Sequence, residues 1–296
     1  MDKEWEEFIN NDEIDAYDYK EMYFKKRENG TISLKTYFAF DEADIVVPEG
    51  VTSIESYAFE SSEIRSVKLP NSLISIGVRA FRNCDNLAKV QLGRDCEVIM
   101  KHAFSGCGKL KELRLPSSVA VLEESSLGDV SDIILESEKI PHGLGMCSYK
   151  RSKSASLKIH FGERTIIVPK RSTADWSKLD QELEDFLKNK KGNLVMPHIA
   201  SSAADKQEVA LEGFRLEHDP KLKPILTEGF SDMMARRKNE EDFRSLFVEF
   251  LDGKMMTNDM ARDALRIAND RNWTETAAYL LEKINEYEYE NEDFSL

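Results

Sequence analysis

The most constraining feature of this chain is an apolar pattern that repeats about every 22 residues. The pair Ala-Phe recurs with its phenylalanine at Phe59, Phe81 and Phe104, and Leu127 holds the same place in a degenerate fourth copy. Other apolar rows keep the same step, namely Ile54, Ile76, Ile99 and Leu122, then Val67, Val90 and Leu113, then Leu69, Leu92 and Leu115. A period of about 20 to 29 residues with several apolar positions predicts a solenoid in which each turn buries its apolar side chains against the next.

The residues between these rows carry a family resemblance. The string LPNSLISIGVRAFRNCDNL at 69–87, together with AFSGCGKL at 103–110 and RLPSSV at 114–119, resembles the unit of the BspA-like leucine-rich repeat family. The resemblance implies an α+β fold class whose core is a leucine-rich repeat solenoid with parallel β ladders. It also implies a bacterial protein of the adhesin-like, cell-surface or secreted kind, since such repeats are found largely in bacterial surface proteins.

The pattern on either side of the repeats predicts four segments. Residues 1–44 form an amino-terminal cap with a β-hairpin, because the turn dipeptide Asn29-Gly30 separates two apolar runs. Residues 45–173 form the leucine-rich repeat solenoid, which needs such a cap over its open end. Apolar residues at helical spacing then predict an all-α domain of helical hairpins over 174–290, followed by an acidic tail at 291–296. Residues 265–281 resemble an ankyrin-type helical hairpin.

Charge and the opening residues limit the choice of partner and location. The chain has 41 Lys and Arg against 55 Asp and Glu, a net charge of -14, which argues against nucleic acid and anionic membranes as partners. No apolar run reaches the roughly 18 residues that a membrane span needs, so no membrane insertion is expected. The first residues are acidic where a secretory signal is basic. We therefore expect a cytoplasmic protein, or a surface protein if an export signal was removed.

No motif in the sequence points to catalysis, a metal or a cofactor. The four cysteines contain no closely spaced pair of the kind that holds zinc, and no two of the five histidines stand three or four residues apart. Cys84 and Cys107 occupy equivalent repeat positions and are interpreted as small buried apolar residues, although a disulfide between them is conceivable in an oxidising setting. The sequence therefore predicts no enzyme, no metal and no cofactor.

The alternation within each repeat predicts which side chains can bind a partner. In Leu113-Arg114-Leu115 the leucines point inward, so the residues that alternate with them point out. The resulting candidate set on the strand face is Ser66, Lys68, Lys89, Gln91, Glu112 and Arg114, and a neighbouring edge carries Tyr57, Arg79 and His102. These residues predict a non-catalytic protein-protein interaction module whose partner is another protein. An adhesin, or a regulatory subunit of an enzyme, are the alternatives.

Overall fold

The computed structural model describes residues 3–11, 15–39, 44–137, 139–147, 154–172, 175–189 and 192–290. The chain forms two compact units, Met1–Leu194 and Val195–Leu296. The sequence pattern places the change to helical structure at residue 174, and the first helix after that point belongs to the first unit. The acidic tail at 291–296 lies outside the described residues.

In its described residues the first unit contains two α-helices, a 3-10 helix at Leu144–Met146 and a series of short strands. The helices are α1 (Lys3–Asn10) and α2 (Trp176–Asn189). The strands are β1 (Ala16–Tyr19), β2 (Met22–Lys26), β3 (Ile32–Tyr37), β4 (Asp44–Val46), β5 (Val51–Ile54), β6 (Ser66–Lys68), β7 (Ser75–Ile76), β8 (Lys89–Gln91), β9 (Val98–Ile99), β10 (Glu112–Leu115), β11 (Val121–Leu122), β12 (Asp132–Leu135), β13 (Ser156–Phe161), β14 (Arg164–Pro169) and, at the boundary of the two units, β15 (Leu194–Val195).

Parallel ladders connect successive turns of the solenoid. One ladder runs from β3 through β5, β7 and β9 to β11, and its register pairs Ile54 with Ile76 and Ile76 with Ile99. On another face β4, β6 and β8 form a parallel ladder, and β10, β12 and β13 form a further one. The predicted apolar rows are therefore rows in space. The structure confirms the predicted α+β class, with a leucine-rich solenoid of parallel ladders followed by helices.

The repeated phenylalanines form a continuous column in the core. The rings of Phe59 and Phe81 lie 4.7 Å apart between centroids with 10° between their planes, and those of Phe81 and Phe104 lie 5.1 Å apart with 8°. Leu127 extends the buried column into the degenerate copy. Each phenylalanine also donates its backbone N–H to the next turn, at 2.7 Å from Phe59 to the carbonyl of Ala80. Ring stacking and backbone pairing therefore act at the same repeat position.

Additional elements cover the first turn of the solenoid. Strands β1, β2 and β3 form an antiparallel meander, and β3 continues into the parallel ladder through β5. Helix α1 packs Trp5 against Phe24, with ring centroids 4.7 Å apart, and the indole N–H donates to the Glu49 carbonyl at 2.8 Å. A ladder that ended in the open would expose unpaired backbone groups, and these elements cover that end.

The other end of the solenoid is covered by a hairpin and a helix. Strands β13 and β14 are antiparallel, which turns the chain back on itself after the last parallel pair. Asp180 of α2 accepts backbone N–H bonds from Gly143 at 2.8 Å and Gly145 at 3.2 Å. Because α2 is bonded to the last turn in this way, it folds as part of the solenoid unit.

The second unit is built from helices around one apolar core. Its helices are α3 (Ala203–Glu217), α4 (Lys223–Glu228), α5 (Phe230–Arg236), α6 (Glu240–Asp252), α7 (Asn258–Asp270) and α8 (Thr274–Glu290). Four phenylalanines, Phe230, Phe243, Phe247 and Phe250, are fully buried in that core. Helices α7 and α8 pack together across a short turn. Ankyrin-like character remains a prediction from the sequence. Among the described helices of the chain, none is long and apolar enough to cross a membrane.

We predict that Phe81→Ala lowers the free energy of unfolding of the first unit by about 3–5 kcal/mol, because it removes a buried ring stacked on both sides. The neighbouring Arg82→Ala should cost less than about 1 kcal/mol, since it removes only a half-exposed ion pair with Glu60. Urea unfolding of both variants measures the difference. Equal losses would contradict the assignment of the column.

Candidate functional site

The outward residues of β6 and β8 form a regular exposed strip. The ladder register pairs Ser66 with Lys89 and Lys68 with Gln91. Lys68, Lys89 and Gln91 are exposed, whereas Ser66 is half-buried and its hydroxyl donates to the Asp44 carboxylate at 2.8 Å. The side chains between them point into the core. The strip is therefore held in place by the ladder without contributing its own side chains to the apolar core.

The ladder is interrupted between β8 and β10. These strands belong to consecutive turns, but they lie in different sheets, and no backbone hydrogen bond joins them in the part of the chain that the structure describes. On the opposite face the ladder from β7 to β11 continues through the same turns without a break. The interruption is therefore local to one face of the solenoid.

A cleft of about 630 Å³ occupies the interruption. Its walls come from the turns that carry β8, β10 and β12, together with Asn71, which follows β6. Four of the sequence-predicted binding residues line it, and they are Lys89, Gln91, Glu112 and Arg114. Sequence reasoning did not find the other lining residues, which include Asn71, Arg94, Pro116 and Glu136. Arg114 and Glu136 form an exposed ion pair at 3.7 Å across the outer wall.

The other predicted set lies on the turns that follow the strands of the continuous ladder. Tyr57, Arg79 and His102 all have left-handed backbone conformations, with φ of 65°, 56° and 58°. The Arg79 guanidinium donates to the Tyr57 hydroxyl at 2.9 Å, and its carbon lies 5.7 Å from the centre of the Tyr57 ring. Burial, together with the nearby positive charges of Lys101 and Arg79, lowers the pKa of His102. None of these three residues lines the cleft between β8 and β10.

A row of hydrogen-bonded polar side chains, which the sequence did not predict, crosses three neighbouring strands. The His160 imidazole lies 3.2 Å from the Asp132 carboxylate through Nε2 and 3.2 Å from the Thr165 hydroxyl through Nδ1. Burial acts to raise the pKa of Asp132, but hydrogen bonds from Ser131 and His160 outweigh it and hold the pKa below its ordinary value. Thr165 is only 8% exposed, so its hydroxyl lacks the access that a nucleophile needs. We interpret these hydrogen bonds as structural contacts that link β12, β13 and β14.

The side chains of Cys84 and Cys107 connect neighbouring turns. The Cys84 thiol donates to the Phe59 carbonyl and the Cys107 thiol to the Phe81 carbonyl, both at 3.0 Å. Contact with Cys84 and burial raise the pKa of Cys107 well above its ordinary value, and burial raises the pKa of Cys96 to about 12. All four cysteines are buried free thiols in the structure. The repeat position that Cys84 and Cys107 share thus contributes to core packing and to hydrogen bonding between turns.

Lys170 is the one fully buried lysine among the side chains that the structure describes. Its ammonium group donates to the Asp129 carbonyl at 3.2 Å. Burial lowers its pKa from the ordinary 10.5 to about 8. Between about pH 8 and 10.5 the unfolded chain therefore holds a proton that the folded chain has released, and stability gains from this group as the pH rises through that window.

We predict that Lys170→Met removes this pH dependence. The free energy of unfolding of the wild type, relative to that of the variant, should increase between pH 7 and pH 10. The reason is that Lys170 loses its buried positive charge over this range, whereas the variant has no charge there to lose. Urea unfolding at the two pH values measures it, with Lys178→Met on the exposed side of α2 as the control. The same shift in both variants would contradict the assignment.

One family model matches the repeat region of the chain. The sequence profile described as "BspA type Leucine rich repeat region" matches residues 30–145 in 6 copies. No curated protein matches the chain.

Several solved structures resemble part of the chain. A leucine rich cell surface protein from Faecalibacterium prausnitzii is 27% identical with a TM-score of 0.39, over 40% of this chain and 33% of its own length. A leucine-rich repeat protein from Bacteroides capillosus is 27% identical with a TM-score of 0.39, over 42% of this chain and 99% of its own. One from Bacteroides ovatus is 22% identical with a TM-score of 0.42, over 49% and 41%. The present chain thus spans about a third of the Faecalibacterium protein. Residues 30–145, with their stacked turns and aromatic column, match the repeat pattern of BspA-type leucine-rich repeat regions.

Proposed function

We propose that this protein is a non-catalytic protein-protein interaction module that binds its partner through the outward face of the solenoid. The observation that supports this proposal most directly is that neighbouring residues of each strand alternate between the buried core and the exposed surface. Val67 is buried in the core while Lys68, next to it, is exposed. In β10, Leu113 is likewise buried and the neighbouring Arg114 is exposed. Outward side chains can therefore be chosen for binding without affecting the core.

The rigidity of the surface supports this proposal. Binding loses affinity when loops and long side chains must be ordered, and a surface held by a hydrogen-bonded ladder needs little backbone ordering. Repeats that stack into a solenoid present extended surfaces that are well suited to macromolecular partners. The strand face carries both cationic and anionic groups, such as Lys89 and Glu112, so it favours a protein with mixed charge over a polyanion.

The edge formed by Tyr57, Arg79 and His102 supports the proposal through its backbone conformation. A left-handed conformation costs a residue other than glycine about 1 kcal/mol, and Gly or Asn would fit there more easily. Three successive turns nevertheless carry bulky side chains at this position. Tyr57 is 45% exposed, and tyrosine and arginine are among the residue types that most often dominate binding energy at interfaces.

We predict that Lys68→Ala, Gln91→Ala and Arg114→Ala together weaken binding of the native partner at least 10-fold while the melting temperature stays unchanged, because these side chains lie outside the core. The partner is obtained by affinity purification from native cells and its affinity is measured by titration. The matched control replaces Lys178, Gln181 and Arg262, which are exposed elsewhere. Unchanged affinity in the first triple variant, or an equal loss in the control, would contradict the proposal.

The location of the protein separates this function from its alternative. A cytoplasmic interaction module is the expectation from the sequence, and an adhesin-like surface or secreted protein is the alternative that the family resemblance favours. Fractionation of native cells with detection of the endogenous protein distinguishes them. Recovery in the soluble internal fraction supports the first, and recovery at the surface or in the medium supports the second.

A further inference from the structure

We propose that three exposed aromatic side chains, those of Tyr23, Phe38 and Tyr57, bind a proline-rich segment of the partner protein in the polyproline II conformation, with an acidic residue beside the prolines. These three residues are called the aromatic patch below. The inference deepens the proposed function and rests on it, because Tyr57 belongs to the edge that supports that function. It adds the chemistry of the segment that the partner presents.

The aromatic patch contains the exposed aromatic side chains of the chain in one place. Tyr23, Phe38 and Tyr57 are 37%, 48% and 45% exposed, and no other aromatic side chain that the structure describes is as exposed. Folded proteins bury most aromatic surface, because each ring contributes a large apolar area. A concentration of exposed rings in one region therefore indicates a surface that a ligand covers.

Two of the three residues lie on neighbouring strands of the antiparallel meander. Tyr23 of β2 is paired with Thr36 of β3. Phe38 follows the end of β3, and its backbone N–H donates to the Glu21 carbonyl at 3.0 Å. The residues that alternate with Tyr23 and Phe38 are buried in the core. Tyr23 and Phe38 are therefore diagonal neighbours on the outward face of this pair of strands.

The third residue lies on the other side of β3. The Tyr37 N–H donates to the Ala58 carbonyl at 2.8 Å, and the rings of Tyr37 and Phe59 are stacked 5.2 Å apart. Tyr57, which precedes Ala58, therefore lies beside the end of β3. The aromatic patch thus extends from β2 across the end of β3 to the turn after β5, which is the order of these strands in the sheet.

The spacing of the two tyrosines matches one turn of a polyproline II helix. Neighbouring strands lie about 4.8 Å apart, so Tyr23 and Tyr57, with β3 between them, are separated by about 10 Å across the strands. Residues three apart in a polyproline II helix are separated by about 9 Å. Surfaces lined by aromatic side chains bind such helices in known recognition modules. Two prolines with two residues between them can therefore contact Tyr23 and Tyr57 together, with Phe38 between these contacts.

The Tyr57 side chain is held in the orientation that this ligand needs. The Arg79 guanidinium donates to the Tyr57 hydroxyl at 2.9 Å, and its carbon lies 5.7 Å from the ring centre. Because the hydroxyl accepts this bond, its own hydrogen can be donated to a backbone carbonyl of the ligand. A polyproline II helix has no internal hydrogen bonds, so its carbonyls can accept. A fixed side chain and a stiff ligand both reduce the entropy lost on binding.

Positive charge follows the aromatic patch on the next turns. Arg79 holds the position of Tyr57 one turn further on, and its N–H donates to the Lys101 carbonyl at 3.0 Å. Lys101 is paired with Glu124 at 2.6 Å. In the described part of the chain, Arg79 contacts the Tyr57 hydroxyl and forms no ion pair with a carboxylate. An acidic residue of the ligand, placed beyond the proline that contacts Tyr57, would therefore pair with Arg79.

The experiment compares two peptide libraries on the immobilised full-length chain. One phage-displayed library of dodecapeptides has Pro-X-X-Pro fixed at its centre, the other has Ala-X-X-Ala, and all other positions are random. The first library should enrich peptides with an acidic residue on one side of the prolines, and the second should not. Enriched peptides are synthesised and their affinity is measured by fluorescence polarisation. Replacement of both prolines by alanine should weaken binding at least about 10-fold, because the preformed conformation is lost.

Variants of the protein place the binding on the aromatic patch. Tyr23→Thr with Tyr57→Asn should weaken binding of the enriched peptides at least about 10-fold. Threonine suits a strand and asparagine tolerates the left-handed conformation, so both changes should preserve the fold. The control, Val46→Thr with Leu281→Gln, changes two exposed apolar side chains elsewhere and should leave the affinity unchanged. Unfolding midpoints check that both double variants fold.

Reversal of one charge tests the position of the acidic residue. Selection on the Arg79→Glu variant should enrich peptides with a basic residue in place of the acidic one. The inference is overturned if the two libraries enrich equally, or if neither enriches any peptide. Binding that is unaffected by Tyr23→Thr with Tyr57→Asn, or an acidic preference that persists in Arg79→Glu, would also overturn it.

Failure of the aromatic patch is distinguishable from failure of the proposed function. If the native partner is lost from the Lys68, Gln91 and Arg114 triple variant but not from Tyr23→Thr with Tyr57→Asn, the strand face binds the partner and the present inference falls. If proline-rich peptides bind the aromatic patch but the native partner ignores the triple variant, the patch is a peptide site and the proposed function falls.

Discussion

The attachment of each solenoid turn to the next is the interaction on which the rest of the structure depends. A single turn of about 22 residues has too few apolar side chains to fold alone. Two contacts repeat at one position, namely the stacked ring of Phe81 between those of Phe59 and Phe104, and the backbone N–H that Phe81 donates to the Ala103 carbonyl at 2.8 Å. The Cys107 thiol adds a further bond to the Phe81 carbonyl. These contacts lie in the core of the solenoid, so they do not restrict the identity of the outward side chains.

This division explains how one scaffold can carry different surfaces. The inward rows must keep their size and shape because side chains in a protein core are closely packed. The outward positions are limited only by solubility and by the strand conformation. In this chain the outward face has two distinct parts, a strand face with the cleft that Lys89 and Arg114 line, and an edge of left-handed turns where Tyr57 and Arg79 contact each other.

The sequence predicted the features that are periodic and missed those that depend on one local departure from the period. The rows containing Ile76 and Phe81 follow from spacing alone, and so does the outward direction of Lys68. The break between β8 and β10 could not be predicted, because Val90 and Leu113 keep the repeat pattern on both sides of it. Only the relative position of the strands, which spacing does not encode, separates them.

Contacts between distant residues were beyond sequence reasoning for a related reason. His160 meets Asp132 from 28 residues away, and Asp180 reaches Gly143 from 37 residues away. The second of these contacts places α2 with the solenoid, although its helical spacing suggested the start of a new domain. The helical spacing predicts that α2 is a helix, but it does not predict where α2 packs. Its packing follows from the open end of the solenoid, which α2 covers.

Residue-resolved hydrogen exchange on the full-length chain tests the central claim most directly. If stacked turns hold the first unit together, the amides of Phe59, Phe81 and Phe104 exchange only through global unfolding of that unit, whereas those of Val90 and Glu112 in the break exchange orders of magnitude faster. Rapid exchange at the three phenylalanines would contradict the stacked core. Equal protection at Val90 and Glu112 would contradict the interrupted ladder.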